Sequence, residues 1–306
     1  MNELPSDVRS FSPEVLSEPT VAASRVHAEV AGMTHPGVRP NNEDAYAIFR
    51  VGRYMERVDS NVPEQEMSSR HDESGHLMLV ADGVGGAEGG EIASRMSLRT
   101  ILDLVQRAPR WALKLDDPAT REAEISGLIL RSRGYLQAMH TAVRARQEAE
   151  PGLAGMGTTL TGAWTVGVDL FVIHVGDSRA YLLREGRLER ITHDHTLAQQ
   201  YADLGLVPQE SVEKHPLGHV LTRAVGSPVE KLESDMHHVP LRNHDMLLLC
   251  SDGLTKMLPE ARIGEILGDL AHSHDSASAC RELIKHALLA GGNDNVTVIV
   301  ARYEID

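Results

Sequence analysis

The stretch Leu77 to Gly90, Leu-Met-Leu-Val-Ala-Asp-Gly-Val-Gly-Gly-Ala-Glu-Gly-Gly, constrains this chain more than any other. Its unbroken apolar run has the length of a buried strand, and Asp82 stands where that strand must end. Gly83, Gly85 and Gly86 follow at once, so the backbone can turn sharply and bring its carbonyl oxygens close to whatever Asp82 binds. This is a poor way to build a core and a good way to hold a hard cation. The other ligands must then come from elsewhere in the chain.

Strand-sized runs recur along the sequence. Residues 1–26, with three prolines and no sustained period, read as a flexible N-terminal tail, and 27–306 as one domain. Strands are expected from His27 and over Ala45 to Val51, and a polar surface insertion over about 52–75. Ile92, Met96, Ile101, Leu102 and Val105 follow helical spacing, as do Ile125, Leu128, Ile129, Leu136, Met139 and Val143. Thr158 to Thr165, Leu170 to Val175, Ala180 to Arg184 and Leu188 to Thr192 read as a meander, with hairpin turns at Gly167 and Glu185-Gly186. The histidine-rich, proline-broken segment 193–221 reads as a short helix plus loop, with the makings of a lid. Strands at Lys231 to His238 and Asp245 to Cys250, helices at Pro259 to Leu270 and Ser276 to Ala290, and a strand at Val296 to Tyr303 complete the chain. With no βαβ alternation, the order implies an α+β sandwich.

Acidic residues outnumber basic ones 44 to 30, giving a formal charge of −14, which argues against nucleic-acid or anionic-membrane partners. No apolar run is long enough to span a membrane, and the N-terminus lacks a signal-peptide pattern, so a cytoplasmic location is expected. Cys250 and Cys280 are expected to be reduced core residues.

Four more acidic stations share the character of Asp82, each at a strand edge beside small residues. They are Glu43-Asp44, Asp177 in Val-Gly-Asp-Ser-Arg, Asp252 in Cys-Ser-Asp-Gly, and Asp294 in Gly-Gly-Asn-Asp-Asn. Any one alone reads as a turn or cap residue; five recurrences do not. Carboxylates gathered in a cleft repel unless cations neutralise them, and an all-oxygen ligand set favours Mg²⁺ or Mn²⁺. Two such ions can activate a shared water, which makes a phosphate ester the natural substrate. Arg39, beside Glu43-Asp44, suits bidentate binding of its phosphoryl group.

Arg39 with Glu43-Asp44, Ala-Asp82-Gly83-Val-Gly-Gly, Gly155-Met-Gly-Thr-Thr159, Val-Gly-Asp177-Ser-Arg179, Asp194-His195, Leu221-Thr-Arg-Ala-Val-Gly226, Ser251-Asp252-Gly253 and Asn293-Asp294-Asn-Val-Thr occur in order over about Glu29 to Tyr303. Together they resemble the metal-dependent serine/threonine phosphatases of the protein phosphatase 2C class, in their bacterial form. The resemblance implies a central antiparallel β-sandwich flanked by helix pairs, with a binuclear centre at one end. Asp82 would bridge both ions and Gly83 would offer its carbonyl oxygen to the second. Asp252 and Asp294 would hold the first, and Glu43 and Asp44 would serve the second. Asp177 with Asp252 resembles a weaker third-ion site, Arg39 would hold the substrate phosphate, and segment 193–221 matches the mobile flap. The histidine that many eukaryotic members carry two residues after the bridging aspartate is Val84 here. That leaves the leaving-group acid unassigned, with the third-ion station at Asp177 as its expected source. The flap histidines His193, His195, His215 and His219 read as solvated loop residues without a catalytic role, and Asn295 and Ser178 carry no assigned role.

Phosphorylated proteins, a Ser/Thr kinase and its substrates among them, are the expected partners, and a monomer the expected state. The His-Asp pairs at His71, His193, His244 and His274 raise a histidine-ligated phosphohydrolase, but those sites need helices where this chain has strands and loops. A phosphatase-like binding module should have lost ligands, whereas Asp82, Asp252 and Asp294 all stand.

Overall fold

The computed structural model describes residues 26–56, 58–63, 70–85, 89–107, 115, 118–271 and 275–306. The chain opens with β1 (Val26–His35), β2 (Ala45–Glu56), β3 (Arg70–Ala81) and the short β4 (Gly83–Val84). Helices α1 (Gly89–Gln106) and α2 (Arg121–Ala149) follow, then β5 (Gly157–Thr158), β6 (Leu160–Val166), β7 (Asp169–Val175), β8 (Arg179–Arg184) and β9 (Arg187–Arg190). Helix α3 (Leu197–Asp203) and a 3-10 turn (Gln209–Lys214) precede β10 (Asp235–Pro240) and β11 (Met246–Cys250). The one-turn α4 (Asp252–Thr255), α5 (Glu260–Asp269), α6 (Ser276–Leu289) and β12 (Val296–Ile305) close the fold.

Two five-stranded antiparallel sheets stack, ordered β1-β12-β11-β8-β9 and β10-β7-β6-β3-β2. Each is covered on one face by the other sheet and on its opposite face by a helix pair, which is why its strands are apolar on both faces. In β3, Met78 and Val80 enter the inter-sheet core while Leu77, Leu79 and Ala81 pack beneath α1 and α2. In β11, Leu247 and Leu249 face the other sheet, and Met246, Leu248 and Cys250 face α5 and α6. The four layers run helix pair, sheet, sheet, helix pair, as the α+β sandwich reading expects.

Two expectations are corrected. The segment 160–190 is not one meander: β6 and β7 form a hairpin in one sheet, and β8 and β9 a hairpin in the other. Alternation marks strands but not which sheet a hairpin joins. The switch occurs at Gly176, whose φ of +111° suits glycine, and it throws Asp177 onto the end of the sandwich. The 52–75 segment is also less loop-like than expected, because the β2–β3 ladder continues through Gly52↔Ser74 out to Glu56↔Arg70. Backbone pairing needs no apolar side chains, so polarity hid this extension. Residues 57 and 64–69 of that segment, the tail through residue 25, and Gly86 lie outside the described residues. Cys250 and Cys280 are both buried and free, as expected.

Candidate metal centre

The acidic stations meet at one end of the sandwich because antiparallel pairing brings strand starts and strand ends together. Asp82 follows β3 and Asp252 follows β11, while Glu43-Asp44 precedes β2 and Asp294 lies just before β12. Asp177 sits on the crossing between sheets. Arg39 reaches the same place, its Nε 3.2 Å from Asp294 Oδ1 and donating to the Asn293 carbonyl at 3.1 Å. All eight residues named from the sequence are therefore drawn together.

Their backbones are tied down. The Asp82 carbonyl accepts from Thr159 N–H at 2.9 Å and from the Thr158 hydroxyl at 2.8 Å, and the Asp82 N–H donates to Thr159 Oγ1 at 3.0 Å. Thr159 in turn shares a 2.7 Å hydroxyl contact with Ser178. Glu43 is clamped from both sides: its N–H donates to Asn295 Oδ1 at 2.8 Å and its carbonyl accepts from Ser94 Oγ at 2.6 Å. Asn295 also donates to the Pro36 and Asn41 carbonyls, each at 2.9 Å, so one amide fixes the Arg39–Asp44 loop. The Asp44 Oδ2 accepts from Ser251 Oγ at 2.7 Å, and that hydroxyl accepts from Thr297 N–H at 2.9 Å. Gly83 and Gly90 form a cradle without room for a side chain. A Cβ on Gly83 would lie 2.2 Å from the Gly90 oxygen and 2.7 Å from that of Glu43, and one on Gly90 would lie 2.6 Å from Glu43 Oε2.

The site is electrostatically unbalanced. Burial pushes the Asp44 carboxyl up to about 7, with Asp252 and Asp294 adding repulsion against the Thr297 and Ser251 hydrogen bonds. Burial, then Asp44, Asp252 and Asp177, raise Asp82 well above the usual carboxylate range. Burial also raises Glu43, opposed by Arg39, and raises Asp177, which Asp252 and Asp194 repel further. A nearby cation would favour the charged form of each and oppose these shifts. Among the described residues no three acidic, histidine or cysteine side chains close into a preformed metal cage. Instead the Lys256 ammonium pairs with Asp252 and, at 3.2 Å, with Asp294. The donors still fit a hard divalent ion: they are all oxygens, six carboxylates against Arg39 and Lys256, beside a glycine cradle too tight for a side chain.

The flap borders this end. A cleft of about 200 Å³ is lined by Asp177, Asp252, Thr255 and Lys256 on one side and by Val212, Glu213, His215, Gly218 and His219 on the other. Beside Asp177, the buried Arg179 grips Asp194 through Nε at 2.9 Å and Nη2 at 2.7 Å. His195 corrects the reading of the flap histidines, since it is 5% exposed. Its Nδ1 accepts from Gly176 N–H at 3.1 Å and its Nε2 faces Asp235 Oδ2 at 3.2 Å, so it ties the flap stem to the Asp177 loop. Burial lowers its pKa. The sequence reading left Asn295 and Ser251 without a role and did not single out Ser94 or Lys256. The second asparagine of Asn293-Asp-Asn295 and the i,i+4 spacing of Lys256 from Asp252 were the available signals.

Residues 56–288 match protein phosphatase 2C, a span that leaves out Arg39, Glu43, Asp44 and Asp294, which the β1–β12 and β2–β3 pairings deliver to the site. The chain is 36% identical over 225 residues to the serine/threonine phosphatase stp of Listeria welshimeri, covering 73% of this chain and 83% of that one. It is 34% identical over 254 residues to the serine/threonine protein phosphatase PstP of Mycobacterium tuberculosis, covering 83% of this chain and 45% of PstP, so it spans under half of that relative's length. It superposes on the crystal structure of the PstP catalytic domain in complex with two manganese ions with a TM-score of 0.67 at 30% identity, over 92% of this chain and all of that one. Fold, family match and relatives agree, and this chain belongs to the protein phosphatase 2C family.

Proposed function

We propose that this chain is a serine/threonine protein phosphatase that hydrolyses phosphoserine and phosphothreonine esters with two Mn²⁺ or Mg²⁺ ions. The convergence of five separate carboxylate stations on one end of the sandwich, with Arg39 at their edge, carries this reading. Asp82, Asp252 and Asp294 would hold the first ion, and Asp82 with Glu43, Asp44 and the Gly83 carbonyl the second, with a weaker third position at Asp177 and Asp252. When bound, the ions activate water and neutralise charge on the phosphoryl group. The chain's own groups do the rest. The Arg39 guanidinium, 55% exposed, is free to turn its remaining N–H groups toward a substrate phosphate. The Thr158–Thr159 bonds hold Asp82 at a set position. Val84, paired with Gly157, has no proton to give, so the leaving-group proton is assigned to the Asp177 station.

The names of the stp and PstP relatives support this activity. The substrates are phosphorylated proteins, and a Ser/Thr kinase and its targets fit as the opposing system. No helix among the described residues is long and apolar enough to cross a membrane, which is compatible with a cytoplasmic location, and a monomer is proposed. Metal-stripped protein should release no phosphate from a phosphothreonine peptide, and Mn²⁺ should restore release in the wild type but not in Asp82→Asn. Turnover by the mutant would refute the binuclear mechanism, and none by either chain would favour a binding module. Asp177→Ala should slow the phosphothreonine peptide far more than p-nitrophenyl phosphate, whose leaving group needs no acid. Equal losses would remove Asp177 from that role.

A further inference from the structure

Lys256 stands at the C-terminal end of α4, four residues after Asp252, and its N–H closes that turn onto the Asp252 carbonyl at 2.8 Å. This geometry aims the side chain back across the strand ends. Its ammonium contacts Asp252 Oδ2 and Asp294 Oδ2 together. The other Asp294 oxygen is taken by Arg39 Nε at 3.2 Å and by the Asn295 N–H at 3.1 Å. The pair assigned to the first ion is thus already bridged by a cation belonging to the chain. An ammonium and a divalent ion that use the same two oxygens exclude each other by size and by charge.

We propose that Lys256 is an internal cation occupying the first ion's place between Asp252 and Asp294, so that the divalent ion enters by displacing it. The proposal rests on the assignment of Asp252 and Asp294 to that ion. Lys256 has somewhere to go: it is 41% exposed and lines the cleft that also holds Asp177 and the flap residues His215 and His219. Displaced there, it sets a positive charge where a phosphoprotein would approach. Metal-free protein keeps Asp252 and Asp294 paired with a cation, and the occupancy of the first position responds to divalent-ion concentration at a higher threshold than the carboxylates alone would set.

The test is calorimetric titration of metal-stripped protein with MnCl₂, comparing wild type, K256M, K256Q and K256R. Loss of a cation that must be displaced should tighten Mn²⁺ binding about tenfold or more in K256M and K256Q, with K256R close to wild type. In chelator the unfolding midpoint of K256M should fall, and saturating Mn²⁺ should erase the difference. On the unmutated chain, acylation of lysine amines read by peptide mass spectrometry should increase several-fold at Lys256 when Mn²⁺ is added. Binding that K256M and K256Q leave unchanged or weaken, or Lys256 labelling that Mn²⁺ does not raise, would overturn the proposal alone. Absence of Mn²⁺ binding to every form would overturn the metal-site reading and the proposal with it.

Discussion

Asn295 is the most informative single perturbation. Its side chain is 7% exposed and makes three hydrogen bonds, accepting from Glu43 N–H and donating to the Pro36 and Asn41 carbonyls. Truncation to alanine forfeits all three, at about 0.5–1.5 kcal/mol each net, and the total is centred on about 3 kcal/mol. The loop carrying Arg39, Glu43 and Asp44 then keeps Val38 N–H to the Gly292 carbonyl, Arg39 on Asn293 and Asp294 and Asp44 on Ser251, but loses the clamp at its centre. Asn295→Asp separates shape from hydrogen bonding. It keeps the acceptor for Glu43, but a carboxylate cannot donate to two carbonyls and adds negative charge next to Asp294, so it should cost at least as much as alanine. Urea unfolding in chelator gives both energies, with an unchanged m-value marking a pure stability effect. Mn²⁺-dependent turnover should fall about 10–100-fold in both variants, the usual cost of losing a group that orients ligands. An alanine variant within about 1 kcal/mol of wild type, or an aspartate variant as stable as wild type, would refute the clamp.

Three further outcomes follow from packing and charge. His174 is fully buried and its pKa is pushed down to about 3 by burial from the ordinary 6.5, so between those values the unfolded chain takes up a proton that the folded chain does not. Its contribution to stability is complete above pH 6.5 and is lost as pH falls, by about 2 kcal/mol between pH 6.5 and 5; His174→Asn should remove that part of the slope in urea melts at the two pH values. Asp194→Ala takes the close carboxylate from the buried Arg179 guanidinium, leaving it Glu260 at 3.6 Å and Glu213 at 3.8 Å, and should cost about 3 kcal/mol, measured the same way. Gly83→Ala drives a Cβ into backbone atoms of Gly90 and Glu43, for about 1–3 kcal/mol and weaker Mn²⁺ binding by calorimetry. Gly152→Ala, with nothing within 4 Å, should change neither.

Much of the site is legible in the chain itself because its chemistry is carried by local patterns. An apolar run ending on Asp82 or Asp252 beside glycine announces both a strand and a ligand, since the same few residues set the backbone period and place the carboxylate. The helix pairs at 89–149 and 260–289 and the positive-φ turn at Glu185-Gly186 are local for the same reason. What the sequence could not supply was partnership. Which sheet receives β8, how far the β2–β3 ladder runs through polar residues, and that His195 is buried against Gly176 all depend on contacts between distant segments, which leave no period behind. Asn295 is a turn asparagine until Pro36, Asn41 and Glu43 fold around it. Lys256 is an exposed helix-end lysine until pairing of β11 with β12 sets Asp294 beside Asp252. Local pattern along the chain names the oxygens on offer. The tertiary structure decided how they are held and which cation of the chain's own meets them first, because charge interactions depend on distances that only long-range packing sets.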